Sequence, residues 1–420
     1  MPNKWKQQTS GVKSRVKQRV SAKLNAWKAR IAREISGGQT GGTSDGNKVD
    51  VYFEGDRAFA AMLDAIKEAK HYVHLEMYMF FSDHIGRRFA DALSAKAREG
   101  IPVRVIYDSI GSLETDNMQW ADMRSAGVTV VEYRPVAFWR KRSGIFGRNH
   151  RKNLIVDGAT AFTGGLNLAD PWAGEFTSDA CWRDTHCRVI GPAAHDFNKL
   201  FMDSWEYCTK EKIFHRPDPK PLTDAEQTAH SEGLDESGCC RCVVVGSQGL
   251  RNSKEIHKMF SVNLARAEKS IKMTMPYFAP PKLLRTSLRD AAKRGIEVNL
   301  LLPRDSDVTV IDWVREGLYP QMLKWGVKVR EYLGPVLHAK TMVVDDHIAV
   351  IGSSNFDILS VLMNRECGLV VFDDSVAEEL DRQWQNDLML SERVTRDWEG
   401  IRPWWRLLFA KLGCFLIRRF

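Results

Sequence analysis

The chain has 420 residues, enough for two domains with ample core, and a formal net charge of +8 at pH 7. Residues 1–34 carry ten Lys and Arg against the single acid Glu34, residues 401–420 carry five and no acid, and the rest holds 46 bases against 52 acids. A mildly acidic body with basic ends fits an anionic membrane surface better than the polyanion groove of a nuclease, although a local groove can be basic on an acidic body. The spacing of the eight cysteines makes no secreted disulfide framework, which points to a reducing, cytoplasmic setting.

The N-terminus lacks the uninterrupted apolar core of a signal peptide. Val12, Val16, Val20, Leu24, Trp27, Ile31 and Ile35 instead recur every three or four residues, among lysines and arginines. That spacing predicts a basic amphipathic helix lying on a membrane surface, the alternative being a helix packed on the body or on nucleic acid. Residues 36–47, rich in Gly, Ser and Thr, read as a flexible linker.

From Val49 onward strand-like and helix-like segments alternate. Val73 to Tyr78 reads as a buried strand, Ile85 to Arg98 as a helix, and Val103 to Tyr107 and Val128 to Val131 as further strands. This βαβ rhythm predicts an α/β fold. The same order then returns. Ala69 to Phe80 aligns with Ala267 to Phe278, Ala97 to Val105 with Ala292 to Leu300, and Gly127 to Tyr133 with Gly326 to Tyr332. A tandem duplication follows. The offset shortens just before His150, so the first half carries an extra segment, Val136 to Arg148, which mixes aromatics with cations. Residues 215–238, with three prolines and a cluster of acids, read as the linker between halves. Cys239, Cys240 and Cys242 lack a second pair for zinc, and Cys242 leads into an apolar run, so they read as the start of a strand.

The chemistry sits in a repeated motif. His150-x-Lys152 followed by Asp157 recurs as His338-x-Lys340 followed by Asp345, with Gly164-Gly165 and Asn167 after the first and Gly352-Ser353 and Asn355 after the second. In an extended segment residues i and i+2 face the same way, so each copy offers an imidazole beside an ammonium. Asn167 and Asn355 add amides near glycines that admit a ligand. Imidazole, ammonium and amide converging on one spot make a phosphate site. Asp157 and Asp345 complete the candidate catalytic set with His150, Lys152, His338 and Lys340. At turn positions these aspartates read as supports for the local backbone.

The C-terminal stretch from Trp404 to Arg419 is too short and too charged for a confident membrane span. Paired tryptophans, cations and an apolar face predict a helix anchored at the headgroup boundary.

The duplicated motif resembles the phospholipase D superfamily. His74 to Tyr78, Trp182 to His186, Gly352 to Asp357, Asn364 to Glu366 and the Trp404-Trp405 tail make it similar to the bacterial cardiolipin synthases. The resemblance covers residues 49 to 420. Residues 1–35 depart from it, since longer members begin with transmembrane helices.

It implies two tandem phospholipase D-like repeats, each a mixed β-sheet flanked by helices, packed about a pseudo-twofold axis with one shared active site. The divisions expected are a basic membrane-associating helix and linker over 1–48, repeats over 49–214 and 239–395, a linker over 215–238, and an interfacial tail over 396–420. It further implies a phosphatidyl-histidine intermediate, with His150 attacking and His338 as acid and base. Lys152, Lys340, Asn167 and Asn355 would hold phosphoryl oxygens, while Asp184 would orient His338 and Glu366 would orient His150 across the axis. No cofactor or metal is needed, because two lysines supply the positive charge. The expected activity is cardiolipin synthesis from two phosphatidylglycerols, the alternative being a phospholipase D-type hydrolase or nuclease with water as acceptor. The expected partners are phosphatidylglycerol, other anionic phospholipids and a membrane surface met by both termini. Nucleic acid is not expected, and the place is the cytoplasmic face of the inner membrane.

Overall fold

A computed structural model describes residues 21–36, 42–136, 146–174, 181–211, 240–249 and 254–417. After a first helix, α1, over residues 21–36, the first half runs β1 (Thr43–Tyr52), α2 (Gly55–Glu68), β2 (Val73–Met77), α3 (His84–Arg98), β3 (Val103–Asp108), α4 (Asn117–Ser125), β4 (Thr129–Tyr133), β5 (Asn153–Val156), β6 (Thr160–Gly164), β7 (His186–Ile190) and α5 (Pro192–Thr209). The second half answers with β8 (Cys240–Gly246), α6 (Lys254–Arg266), β9 (Ser270–Thr274), β10 (Phe278–Ala279), α7 (Lys282–Lys293), β11 (Glu297–Pro303), α8 (Thr309–Lys324) and β12 (Lys328–Tyr332). It continues through β13 (Thr341–Val344), β14 (Ile348–Gly352), β15 (Phe356–Asp357), α9 (Ile358–Leu362), β16 (Cys367–Phe372), α10 (Asp374–Met389), β17 (Ser391–Arg393), α11 (Trp398–Ile401) and α12 (Trp404–Ile417).

The two halves are one sheet. Its order is β17-β12-β11-β9-β13-β14-β16-β8-β1-β7-β6-β5-β2-β3-β4, and the two halves read the same outward from the β8–β1 seam apart from the extra edge strand β17. Within each half three strands run parallel, β2-β3-β4 and β9-β11-β12, as βαβ units demand. All five residues of β2 are buried, the polar His74 and Glu76 among them. The hairpins β5–β6 and β13–β14 are tight. Asp157 and Gly158 in one, and Asp345 and Asp346 in the other, all take positive φ, the backbone such turns require.

Among the described residues three large apolar clusters and one small one, around Leu301 and Trp384, cover the sheet. One belongs to the first half, with Phe59, Leu75 and Phe89, and one to the second, with Ile271, Leu300 and Tyr319. The third crosses the seam and joins Ile155, Phe197 and Phe201 to Val244, Ile351 and Leu369. The halves are also tied by Arg183, whose guanidinium donates to both carboxylate oxygens of Asp387 at 3.0 and 2.8 Å.

Two sequence expectations need correction. Residues 43–47, read as flexible linker, belong to β1, which pairs with β7 on one side and β8 on the other. Their polarity suits an irregular register. Asn47 is buried at the offset, donating to Ser44 O and Cys240 O and accepting from Ala193 N. The described part of the basic amphipathic helix does not present its apolar face outward either. Ile31 and Ile35 are buried in the second-half core, and Trp27 packs there with its Nε1 donating to Arg266 O at 3.1 Å. Lys28 and Glu34 pair with Asp374 and Arg266. Burying one isoleucine contributes about 1.5–3 kcal/mol, so the stripe is satisfied by protein rather than lipid. Residues 12–20 of that pattern lie outside the described residues.

The tail, α12, is docked on the body along one face. Phe409 stacks on Trp313 of α8 at 4.3 Å, and Arg406 and Arg402, the latter just before the helix, both pair with Glu316. Trp404, Trp405 and Leu408 remain exposed. Most of the Val136 to Arg148 segment and all of 215–238 lie outside the described residues. Among the described residues no helix is long and apolar enough to cross a membrane.

Candidate active site

Each motif enters its hairpin in extended backbone, and a strand of the other half holds it there. His150 N donates to Arg365 O at 2.9 Å and Arg365 N to Arg148 O at 2.8 Å; His338 N donates to Arg183 O and Arg183 N to Val336 O, both at 2.8 Å. These parallel bridges place the residue after each bridging Arg, Glu366 or Asp184, beside the other half's histidine. His150 Nδ1 lies 3.2 Å from Glu366 Oε2 and 3.0 Å from Oε1, and His338 Nδ1 lies 2.6 Å from Asp184 Oδ2.

The lysines fold back beneath the rings. Lys152 Nζ donates to His150 O at 2.8 Å, and Lys340 Nζ donates to His338 O and lies 2.9 Å from His338 Nδ1. Both lysines and both histidines are buried. Each lysine feels the carboxylates Asp184 and Glu366, and the two lysines disfavour one another, so the motifs share one electrostatic site. Burial, with some offset from the acids, holds Lys152 at about 7 and Lys340 at about 8. Burial also lowers both histidines, His338 to about 4, despite the nearby carboxylates. Burial works against the Asp184 anion, yet Lys340 and His338 more than compensate and hold it at about 2.

Asn167 is buried and accepts from Met79 N at 3.1 Å through Oδ1. Asn355 donates to Ser360 Oγ at 3.4 Å, and its buried Oδ1 has no partner. Asp157 and Asp345 sit at their turns with carboxylates fully engaged by backbone. Asp157 accepts from the N–H groups of Lys70, His71 and Tyr72, and Asp345 from those of Glu268, Lys269 and Ser270, all within 2.7–2.9 Å. They fasten each hairpin to the start of β2 or β9.

The difference between Gly164-Gly165 and Gly352-Ser353 has a steric reason. A Cβ on Gly165 would collide with the Asp184 carboxylate, which a short side chain keeps close to the backbone. The longer arm of Glu366 leaves room at the matching position. Ser353 fills it, donating Oγ–H to Glu366 Oε2 at 2.5 Å.

Several participants had no role assigned from sequence, although Glu76, Tyr78 and Trp182 lie in stretches that carry the resemblance. Trp172 Nε1 donates to Asp184 Oδ2 at 2.9 Å, and Trp172, Trp182 and Tyr277 surround the His338 ring while Tyr78 meets the His150 ring at 4.8 Å. Arg151, fully buried between the motif's His and Lys, donates to Leu200 O, Ser247 O and Glu366 O and faces Glu76. Asn149 donates to Glu76 at 2.8 Å. The signal was an inequality between copies, because Arg151 stands where the second motif has Ala339.

Two imidazoles, each paired with a carboxylate from the opposite half, and two buried lysines make a duplicated site of the His–Lys type. A family model described as "Cardiolipin synthase, PLD-like domain" matches residues 62–203 and 261–388. Cardiolipin synthase 1 of Bacillus anthracis is 32% identical, over 87% of this chain and 70% of that protein. The major cardiolipin synthase of Bacillus subtilis (strain 168) is 31% identical over 86% and 73%. Among solved structures, the phosphatidylserine synthase of Haemophilus influenzae Rd KW20 superposes with a TM-score of 0.67 over 88% of this chain and 93% of that one, at 14% identity, which speaks to the fold alone. The chain belongs to the cardiolipin synthase family of phospholipase D-like phosphatidyltransferases.

Proposed function

We propose that the protein transfers a phosphatidyl group from one phosphatidylglycerol to another, giving cardiolipin and glycerol. The observation that carries the reading is the crossed pairing of His150 with Glu366 and of His338 with Asp184. With Nδ1 of each ring engaged, Nε2 is the nitrogen left for substrate. His150 Nε2 attacks phosphorus, the N–P bond forms as the P–O bond to glycerol breaks, and His338 gives its proton to the departing oxygen. His338 then takes the proton of the acceptor's primary hydroxyl, whose oxygen displaces the histidine and restores both groups.

Lys152, Lys340 and the amides of Asn167 and Asn355 hold the non-bridging oxygens, where charge gathers in the transition state. Turning the Asn355 amide over would give its orphaned oxygen the Ser360 hydroxyl and present N–H groups to phosphate. An incoming phosphodiester anion raises the pKa of both lysines and of His338, charging the acid that the empty cleft keeps neutral. Asp157 and Asp345 act only by fixing the hairpins. On this reading the protein works at the cytoplasmic face of the inner membrane, with the exposed tryptophans of α12 in the interface.

The test is to incubate purified protein with phosphatidylglycerol vesicles in chelator and to separate the lipids. Cardiolipin with equal release of glycerol, lost in both His150→Ala and His338→Ala, supports the proposal. Phosphatidate in its place would make water the acceptor and the protein a hydrolase, and absence of lipid turnover would refute both.

A further inference from the structure

Among the described residues, exposed large apolar side chains gather at one end of the sheet. Leu113, Met118, Val308, Val310, Trp404 and Leu408 are each exposed, Leu113 and Trp404 by more than three-quarters. β5 and β13 run antiparallel to β2 and β9, so the motifs entering them lie where the parallel strands β2-β3-β4 and β9-β11-β12 end. Leu113 and Val308 each come five residues after such an end, Asp108 of β3 and Pro303 of β11, at matching places in the two halves. The second loop reaches the cleft. Asp307, next to Val308, accepts from Tyr277 OH at 2.7 Å, and the Tyr277 ring stands 6.3 Å from that of His338.

α12 brings its exposed residues to the same end. Arg402 meets Glu316, Phe409 stacks on Trp313 and Arg406 pairs with Asp305, so α12 runs antiparallel to α8 toward the cleft side. Single exposed apolar residues need no account, but a set that brackets a cleft from both halves marks an interaction surface.

We infer that the whole rim of the cleft is a bilayer-docking surface, with Leu113 and Val308 entering the lipid interface on opposite sides of the active site. The inference rests on the lipid reading of that site and adds a face and an orientation to it. Two features favour phospholipid over a protein partner. The apolar tips are continuous with the mouth of a cleft whose substrate presents its phosphodiester at a bilayer surface. Among the described residues exposed cations stand near the tips, Lys282 beside exposed Leu283 and Lys411 on α12, and the rim acids Asp305 and Asp307 are engaged by Arg406 and Tyr277, which leaves Glu114 as the exposed acid beside Leu113.

The experiment measures co-sedimentation of the full chain with equimolar phosphatidylglycerol and phosphatidylcholine vesicles. The wild type is compared with Leu113→Ser/Val308→Ser and with Lys70→Glu/Lys269→Glu, a control pair at the opposite end of the sheet. The rim pair is expected to weaken vesicle binding by about tenfold or more, with unchanged thermal unfolding and retained turnover of monomeric short-chain phosphatidylglycerol; the control should bind like wild type. The inference is overturned if the rim pair binds like wild type, or if the control pair weakens binding as much. It is also overturned if the rim pair only dissociates a dimer, since a second copy would then cover the surface. Vesicle binding by wild type without cardiolipin formation would refute the proposed reaction and leave the docking face standing.

Discussion

Replacing Glu366 by Gln removes one charge and keeps the shape. In wild type Glu366 accepts from His150 Nδ1–H and from Ser353 Oγ–H, in a site that excludes solvent. A buried hydrogen bond between a neutral ring and a carboxylate contributes about 1.5–3 kcal/mol, which corresponds to a rate loss of roughly tenfold to 150-fold. A second effect compounds it. Gln has one oxygen for two donors, and if that oxygen stays with Ser353 its amide N–H groups face His150 Nδ1. The ring then carries its proton on Nε2 and cannot attack. Loss of the correct tautomer costs up to about 10⁴ in a serine-protease triad. The loss in kcat is therefore expected between about 10² and 10⁴.

The assay is rapid-quench single turnover with a phosphatidyl ester carrying p-nitrophenol, a leaving group that departs without a proton. Glu366→Gln and His150→Ala should lose the release of nitrophenolate, while Asp184→Asn and His338→Ala should retain it and stall only with phosphatidylglycerol. The reverse pattern would exchange the roles of the two histidines, and equal loss in all four would refute a division of labour between them.

Other outcomes follow from the same geometry. Because Lys152 and Lys340 sit at about 7 and about 8 in the empty cleft and a phosphodiester raises both, binding takes up protons. Affinity for glycerophosphoglycerol, whose own charge is constant above about pH 3, should thus rise as pH falls from 9 to 7 through the lysines, and go on rising less steeply toward about pH 4 as His338, held at about 4 in the free protein, is charged on binding; titration calorimetry in two buffers of different ionisation enthalpy would check the uptake. Trp172→Phe removes the N–H that Asp184 accepts, makes that carboxylate more basic, and should move the His338-dependent limb of the pH–rate profile upward. Asp387→Ala strands the Arg183 guanidinium between the halves and should cost about 3 kcal/mol, read as a lower thermal midpoint. Ile31→Ala should cost about 2–5 kcal/mol in the same measurement if α1 is docked as described, and almost nothing if the helix belongs to the membrane.

The sequence made most of this site readable because its chemistry is written twice. A lone His-x-Lys says nothing, but two copies with matching glycines and asparagines locate both hairpins, and the buried runs Val73 to Met77 and Val103 to Tyr107 locate the strands behind them. What stayed hidden is long-range. Residues 43–47 have a linker's composition and become strand only because the seam between β7 and β8 needs a backbone there. The apolar stripe of α1 has the same period whether it meets lipid or the second-half core, so periodicity could not choose. Arg151 is hidden for a related reason. Its partners at Leu200, Ser247 and Glu366 lie 49 to 215 residues away, and a buried arginine looks like a surface one until they are assembled.

The seam also has a meaning for how the chain is made. β1 and β8 are the innermost strands of their halves, and each finds its second partner only in the other. While the first half is emerging from a ribosome, β1 has β7 on one side and an open edge on the other, a template for any passing strand. Its histidine meanwhile waits for an acid that has not yet been synthesised. The polar side chains of Ser44, Asp45 and Asn47 along that edge make it a poor match for apolar strands of unrelated chains, and Asn47 spends its amide on Cys240 once the second half arrives. Catalytic competence and escape from aggregation thus come in the same event, the closing of one strand pair late in the life of the nascent chain.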